Sequence, residues 1–410
     1  MNQRSAMIIG AGLAGLTCAD TLVAADWDVT VLEARDRVGG RAWTGTASNG
    51  ALIERGAEWV EDEQVQLIAL CNRFDIPLVR AGMSYHDRRP IGGPPVSDDE
   101  LVLGRHRIRE ALEELGDSAA DLSALAVIDR LPVSEGVRVA LRARVECTCG
   151  TPAADLAATH LQMLAHAPDV SDALRIGTGS DAPARALAEQ LGERVRLSSP
   201  VTSITLVDDG VTVATATGLH SAARLILALP AAVVREAPFV DVLPDAVAAT
   251  LGQFGIAQAA KIFIPLTGET TPGAHLDVHR DYWVWAANGI GGALRPVVCG
   301  FVGSQVMIDC MDVEHGAATW AGRVSEVRPD VPLDLAAAEA QTWHDDPYAR
   351  GVYTAIPPGA RPDMGLLRRQ HGPLLLAGEY TDDVWPGYME GAVRSGHRAA
   401  ALLIGAIAVP

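Results

Sequence analysis

Three glycines and one carboxylate carry the first chemistry legible in this chain. Gly10, Gly12 and Gly15 form G-x-G-x-x-G within "AMIIGAGLAGL", and Glu33 follows 18 residues after Gly15. At this spacing Gly10 permits a tight bend and Gly12 lets the backbone approach a pyrophosphate, while Gly15 lets a helix pack close to the preceding strand. The helix N-terminus offers N–H groups and a positive dipole end to a phosphate, and a carboxylate at the place of Glu33 accepts hydrogen bonds from ribose hydroxyls. Much later, Lys261 is the only charge in "AAKIFI". A lysine in so apolar a strand is costly unless it has a task or a partner. Aromatic residues make up only 5% of the chain, so Tyr353 in "GVY" and Tyr388 in "WPGYMEGA" stand out.

The elements that must position these residues are readable around them. "AMIIG" is a short apolar run of the buried parallel-strand kind, and "DVTVLE" a second strand ending at Glu33. Residues 61 to about 79 have apolar spacing at three and four and read as a helix, before "RRPIGGPPVSD" breaks the pattern and marks a first domain boundary. From 99 to 172 the pattern is mainly helical. "VRLSSPVTSI" and the alternating "GVTVATAT" then give a hairpin, and "RLILALP" a buried strand. "AAKIFIPL", "DYWVWAANG" and "RPVVCGFVG" read as strands of a second sheet. Trp283 and Trp285 alternate and should share a face, as pocket wall or as core, with Trp285 the stronger pocket candidate.

Composition narrows the function classes. A length of 410 residues suits two domains. A net charge of −18 argues against a nucleic-acid partner, whose phosphates need a basic face. "MNQRSAMIIG" has no basic region followed by a cleavage site, and "AAALLIGAIAVP" is too short to span a bilayer. Cys147 and Cys149 form a lone C-x-C and read as ordinary thiols, so no metal is expected. His160 and His166 lack ligand partners at suitable spacing and read as structural. The expectation is a cytoplasmic protein with no membrane association.

The residues after Glu33 bring a family into view. "EARDRVGGR", residues 33 to 41, "RGAEWVE", residues 55 to 61, and the C-terminal block "LLLAGEYTDDVWPGYMEGAVRSG" together resemble the flavin-containing amine oxidases, of the monoamine oxidase type. The resemblance implies FAD. It would place Arg35, Gly39, Gly40 and Arg41 at the diphosphate, and Ala57, Glu58 and Trp59 beside the flavin ring. The backbone of Val201 would lie at the adenine. Trp343 would pack on the flavin, and Gly378 and Glu379 would lie near the ribityl phosphate. Met389 would open a helix whose N–H groups point at the flavin's pyrimidine edge. Tyr353 and Tyr388 fall on the two walls of the family's aromatic cage, and Lys261 on a lysine linked through water to the flavin's N5. Where some monoamine oxidases carry a cysteine that bonds the flavin, this chain has Val352, so the FAD is expected to be noncovalent.

The implied fold is α/β, α+β overall. It is a discontinuous Rossmann-like FAD-binding domain (1–80, 173–236 and 346–410) with a substrate domain of mixed sheet and helices (81–172 and 237–345). The implied activity is oxidation of a small-molecule amine to an imine, with O2 reoxidising the flavin to give H2O2. A homodimer is common among similar enzymes. Three alternatives stay open: an L-amino-acid oxidase, for which Arg80, Arg88 and Arg89 are unplaced candidates to clamp a carboxylate; a flavin desaturase or biosynthetic oxidase; and a flavoprotein kept as a binding module.

Overall fold

A computed structural model of the chain describes residues 2–83, 88–165, 172–208 and 210–407, the last two as backbone. Short apolar runs bounded by glycine form a five-stranded sheet, in the order Leu374–Leu376, Arg224–Leu227, Ser5–Ile9, Asp28–Leu32, Val195–Arg196. Every pairing in it is parallel. Such a sheet must be covered on both faces. Ala6 and Ile8 pack into one core cluster, Met7 and Ile9 into another. The helices Leu13–Ala24 and Met389–Ile407 cover the first face. They cross closely: a Cβ on Gly396 would stand 2.4 Å from the Ala14 carbonyl oxygen. A three-stranded antiparallel unit, Val201–Val207, Gly210–Thr215 and Gly218–Ala222, contributes Val211 and Val213 to the second face. Strand Ser5–Ile9 is central, with its successor on one side and Arg224–Leu227 on the other. A crevice therefore opens at the carboxyl ends of the strands, where Ile9, Leu32 and Leu227 are in register.

The second sheet has six strands, in the order Glu339–Thr342, Ala259–Pro265, Val297–Gly303, Tyr282–Ala286, Gly273–Asp277, Arg89–Ile91. Its alternation decides which side chains reach the site. Ala260, Ile262, Ile264, Tyr282 and Val284 pack with Trp320 on one side. Phe263, Trp283, Trp285 and Cys299 belong to the cluster on the other side. Lys261, two positions before Phe263, shares that second face. The helix Glu135–Cys149 lies against the sheet so tightly that a Cβ on Gly303 would be 2.3 Å from the Cys147 carbonyl oxygen.

Two local expectations change. The helix expected over 61–79 is confined to Val65–Arg73. Asp75 takes a positive φ of 53°, Pro77 disfavours helix at the residue before it, and Leu78–Arg80 is a strand. "RRPIGGPP" is not only a break: Arg89–Ile91 pairs in parallel with Gly273–Asp277 as an edge strand. An edge is where a sheet tolerates a proline, here Pro90. His160 is structural by its contacts. Its Nε2 accepts the Ile356 N–H at 2.9 Å, and burial pushes its pKa down to about 4, so it stays neutral. Cys147 and Cys149 are buried thiols. His166 lies outside the described residues. No described helix is long and apolar enough to cross a membrane.

Candidate active site

A cavity of about 480 Å³ runs from the carboxyl ends of the parallel sheet to the aromatic face of the mixed sheet. Every cofactor, cage and catalytic residue expected from the sequence lines it except Gly15, and of the three carboxylate-clamp candidates only Arg88 does: Arg80 pairs with Asp62 at 2.9 Å and Arg89 stands on the edge strand Arg89–Ile91. A Cβ on Gly15 would stand 2.0 Å from the Gly10 carbonyl oxygen and 3.1 Å from Ala228 Cβ. Gly15 therefore lets helix approach strand and does not face a ligand.

The dinucleotide end is built from backbone. Gly10, at φ +104°, makes the bend after Ile9, and its N–H donates to the Leu32 carbonyl. The loop carrying Gly39 and Gly40 returns beside Gly12, where Gly39 N–H donates to the Ala11 carbonyl at 2.9 Å. At Gly12 the nearest atom to a Cβ would be 4.0 Å away, so this glycine faces open cavity, as a backbone cradle for a pyrophosphate requires. Glu33 accepts the Ala11 N–H at 2.8 Å on one carboxylate oxygen and the Arg35 N–H at 3.0 Å on the other. Each oxygen keeps a further lone pair for a ribose hydroxyl. These residues fit FAD. Arg35 is held by Asp346 at 2.6 Å. Arg41 and Glu379, expected separately at the diphosphate and the ribityl phosphate, form a two-fold pair with each other at 3.0 and 2.6 Å. Arg41 also donates to the Val352 carbonyl. Gly378, at φ +145°, brings Glu379 into that pair from the end of strand Leu374–Leu376. Val201, Ala57 and Trp343 complete the wall, with the Trp343 indole N–H on the Arg55 carbonyl at 3.0 Å.

The aromatic end has a charged hub. Trp283 and Trp285 share a face and stack with centroids 4.0 Å apart, and Trp59 tilts against both at 5.8 Å. The lone charge of the Lys261 strand has a partner: its ammonium donates to Glu58 at 2.7 Å and to the Gly56 carbonyl at 3.1 Å. The other oxygen of Glu58 takes Arg175 at 2.6 Å, Arg295 at 3.1 Å and the Trp285 indole N–H at 3.3 Å. Burial pushes the Glu58 carboxyl up, but Arg175, Lys261 and Arg295 outweigh it and hold it down at about 2. Glu58 is thus a fully buried carboxylate serving three cations.

The two tyrosines both line the cavity, and the Tyr388 ring packs edge-on against Trp385 with centroids 5.3 Å apart. Gly387 has φ +84°, and a Cβ there would touch the Tyr353 ring at 3.7 Å. Gly387 thus turns the chain so that Tyr388 follows beside Tyr353. A Cβ on Gly391 would sit 2.1 Å from the Trp385 carbonyl oxygen, so that turn must stay thin. Met389 opens the helix Met389–Ile407 at the cavity wall. The Tyr353 hydroxyl donates to the carbonyl of Thr148, at the end of helix Glu135–Cys149.

Sequence reasoning missed Thr148, Arg175 and Arg295, and left Arg88 unplaced. Arg175 had a usable signal: it is a single charge inside the apolar strand Leu174–Ile176, the same mark that drew attention to Lys261.

The sequence profile described as flavin-containing amine oxidoreductase matches residues 13–404. Amine oxidase [flavin-containing] B of Mus musculus is 24% identical over 467 residues, covering 99% of this chain and 87% of its own. The fold matches cyclohexylamine oxidase from Brevibacterium oxydans at a TM-score of 0.81 and 20% identity, over 98% of this chain and 99% of the other. A putrescine oxidase solved with putrescine matches at 0.82 and 21%, with the same coverage. A dinucleotide cradle opening into an aromatic chamber, and a profile match across nearly the whole chain, lead to one conclusion: this chain belongs to the flavin-containing amine oxidoreductases and is an enzyme that oxidises amines with a flavin cofactor.

Proposed function

We propose that the cavity holds FAD noncovalently along the Gly10–Glu33 end and takes an amine between Tyr353 and Tyr388. The segments of the parallel sheet would form the FAD-binding domain, and the mixed sheet with its helices the substrate domain. The observation that carries this reading is that one cavity joins the phosphate cradle to Tyr353, Tyr388, Trp285 and Lys261. When bound, FAD supplies a two-electron acceptor that is afterwards reoxidised by O2, giving H2O2. In the amine the bond from carbon to hydrogen next to nitrogen breaks and its electron pair leaves as hydride. A C=N bond forms, the nitrogen's proton passes to water, and water then hydrolyses the imine to a carbonyl compound.

The chain's own residues prepare that step. The nitrogen must carry a free lone pair, so the ammonium form has to be disfavoured. A dry aromatic slot does this by desolvation, and the surplus of positive charge around Glu58 adds to it through Coulomb repulsion. The two tyrosine rings orient the amine against their faces. Lys261, fixed by Glu58 and the Gly56 carbonyl, is assigned to proton handling during reoxidation. The N-terminus of helix Met389–Ile407 offers its dipole to the charge that develops on the reduced cofactor.

Noncovalent binding rests on Val352, which lines the cavity beside Tyr353 and has no thiol. Acid precipitation of the purified yellow protein should leave all the flavin in the supernatant. A pellet that stays yellow after washing would rule noncovalent binding out. In air, each amine consumed should yield one H2O2.

A further inference from the structure

Lysine occurs once in this chain. Among its 33 lysine and arginine residues, position 261 alone is lysine. A guanidinium is a flat fork of five N–H donors, whereas an ammonium is a compact charge whose three donors turn about one axis. Arginine stands at all the other positions, including Arg175 and Arg295 on the same carboxylate as Lys261. The exception lines the aromatic end of the cavity. Lys261 Nζ donates to Glu58 at 2.7 Å and to the Gly56 carbonyl at 3.1 Å, so two of its three N–H groups are spent within the protein. The Trp285 and Phe263 rings stand 5.4 and 5.8 Å from Nζ, beyond hydrogen-bond range. The third N–H is left for the cavity.

Glu58 sets the direction of that third N–H, because the carboxylate cannot swing. One oxygen takes Lys261. The other takes Arg175 at 2.6 Å, Arg295 at 3.1 Å and the Trp285 indole N–H at 3.3 Å. The two arginines are fixed in their turn. Arg295 also donates to the Leu52 carbonyl at 2.8 Å. Arg175 sits in the middle of its strand, paired with Trp59 on one side and Val79 on the other. Both side chains are buried, and neither lines the cavity. They do not touch amine, cofactor or O2, and they reach the chemistry through Glu58. Such support holds a reacting group within a fraction of an ångström of its working place. Arg175 also lies over the Trp59 ring at 5.6 Å, so Arg295 is the cleaner probe of the path through Glu58.

We infer that Glu58, clamped by Arg175 and Arg295, is a positioning residue for reoxidation of the cofactor: it aims the remaining Lys261 N–H into the cavity where O2 is reduced. This rests on the amine-oxidation reading and deepens it. In that return step O2 gains two electrons and two protons and leaves as H2O2. Both electrons and one proton come from the reduced cofactor, and the second proton comes from water. Negative charge gathers on oxygen before the second proton arrives, and a fixed N–H stabilises it without having to reorganise. The amine's bond to hydrogen breaks on the side of the tyrosines and does not use this N–H. The clamp should therefore govern reoxidation far more than reduction.

The test separates the two half-reactions of the holoenzyme. Reduced protein is made anaerobically with one equivalent of dithionite, which needs no amine, and is mixed with oxygenated buffer; reduction is timed separately with pentylamine and phenethylamine. Arg295→Met, which leaves Glu58 two cations, should slow reoxidation about tenfold, a part of the roughly 100–1000-fold that a directly contacting donor is worth, and leave reduction nearly unchanged. Lys261→Arg keeps the charge but not the geometry, and should slow reoxidation at least as much. Because Lys261 is the single lysine, protein labelled with 15N-lysine has one side-chain ammonium signal, which reports the clamp without turnover. That signal should exchange slowly with water in the wild type and shift or vanish in Arg295→Met. Reoxidation of Arg295→Met or Lys261→Arg as fast as wild type, equal slowing of both half-reactions in Arg295→Met, or an ammonium signal unmoved by that change would overturn the inference. If Arg295→Met does not fold, Lys261→Arg and the wild-type signal decide, and a wild-type ammonium in fast exchange counts against the clamp. If no amine reduces the flavin, the amine-oxidation reading fails, and the dithionite-reduced protein still judges this one. A wild type that O2 reoxidises no faster than free reduced FAD would overturn it.

Discussion

Glu58→Gln is expected to remove about 3–5 kcal/mol of folding stability, the usual cost of leaving a buried charge without its partner. The protein would survive or fail on that margin, since total stabilities are of order 5–15 kcal/mol. The effect should be large because Glu58 is shared: Lys261, Arg175 and Arg295 all lose their counterion together. Lys261→Met leaves Glu58 with two cations and should cost much less. The same carboxylate sets an acid limb. Its folded pKa of about 2 lies below the ordinary value of 4.5, so its contribution is complete above pH ~4.5 and is lost as pH falls towards 2. Linkage puts that contribution on the order of 3 kcal/mol. His160, held neutral down to about pH 4, destabilises in an overlapping range. The difference between wild type and variant, measured by denaturant unfolding of the apoprotein across pH 2 to 7, isolates Glu58. A Glu58→Gln protein within ~1 kcal/mol of wild type at pH 7 would mean that the three cations do not depend on this carboxylate.

Tyr388→Ala should slow flavin reduction by roughly 100-fold with the cofactor still bound, because a misplaced substrate loses near-attack geometry. Tyr388→Phe keeps the ring and should lose less than about tenfold if the ring face, and not the hydroxyl, positions the amine. Tyr388→Phe also keeps the edge-on contact of the ring with Trp385, whose centroid lies 5.3 Å away. The turn is set by Gly387 at φ +84° and by Gly391, where a side chain would collide with the Trp385 carbonyl. Stopped-flow reduction of the two variants is the measurement, and a Tyr388→Ala rate equal to wild type would remove this residue from the slot.

Much of this was legible in the sequence because local chemistry fixed it. The Gly10–Gly15 turn, the strand ending at Glu33, and the glycines around Tyr388 each demand a particular backbone, and the structure supplies it. The alternation that put Trp283 and Trp285 on one side is a property of any strand, and they stack. Contacts between distant segments were not legible. Nothing near Glu58 in the chain announces Arg175 or Arg295, more than a hundred residues away. Resemblance placed Arg41 and Glu379 separately along the cofactor, and that they pair with each other could be seen only after folding. The Glu390 side chain, inside "WPGYMEGA", accepts the Gln66 and Leu67 N–H groups at 3.1 and 2.8 Å. It thereby caps the helix Val65–Arg73, a role visible only once the two ends of the chain are together. The over-long helix expected at 61–79 failed for a local reason that could have been read, since Pro77 bars helix at the residue before it.

That this cavity oxidises amines at a flavin is tested by anaerobic titration of the holoenzyme with primary and secondary amines. One equivalent of a good amine should bleach the oxidised flavin fully, with recovery of the yellow colour and release of H2O2 when air is admitted. A flavin that stays oxidised against every primary and secondary amine offered would contradict it.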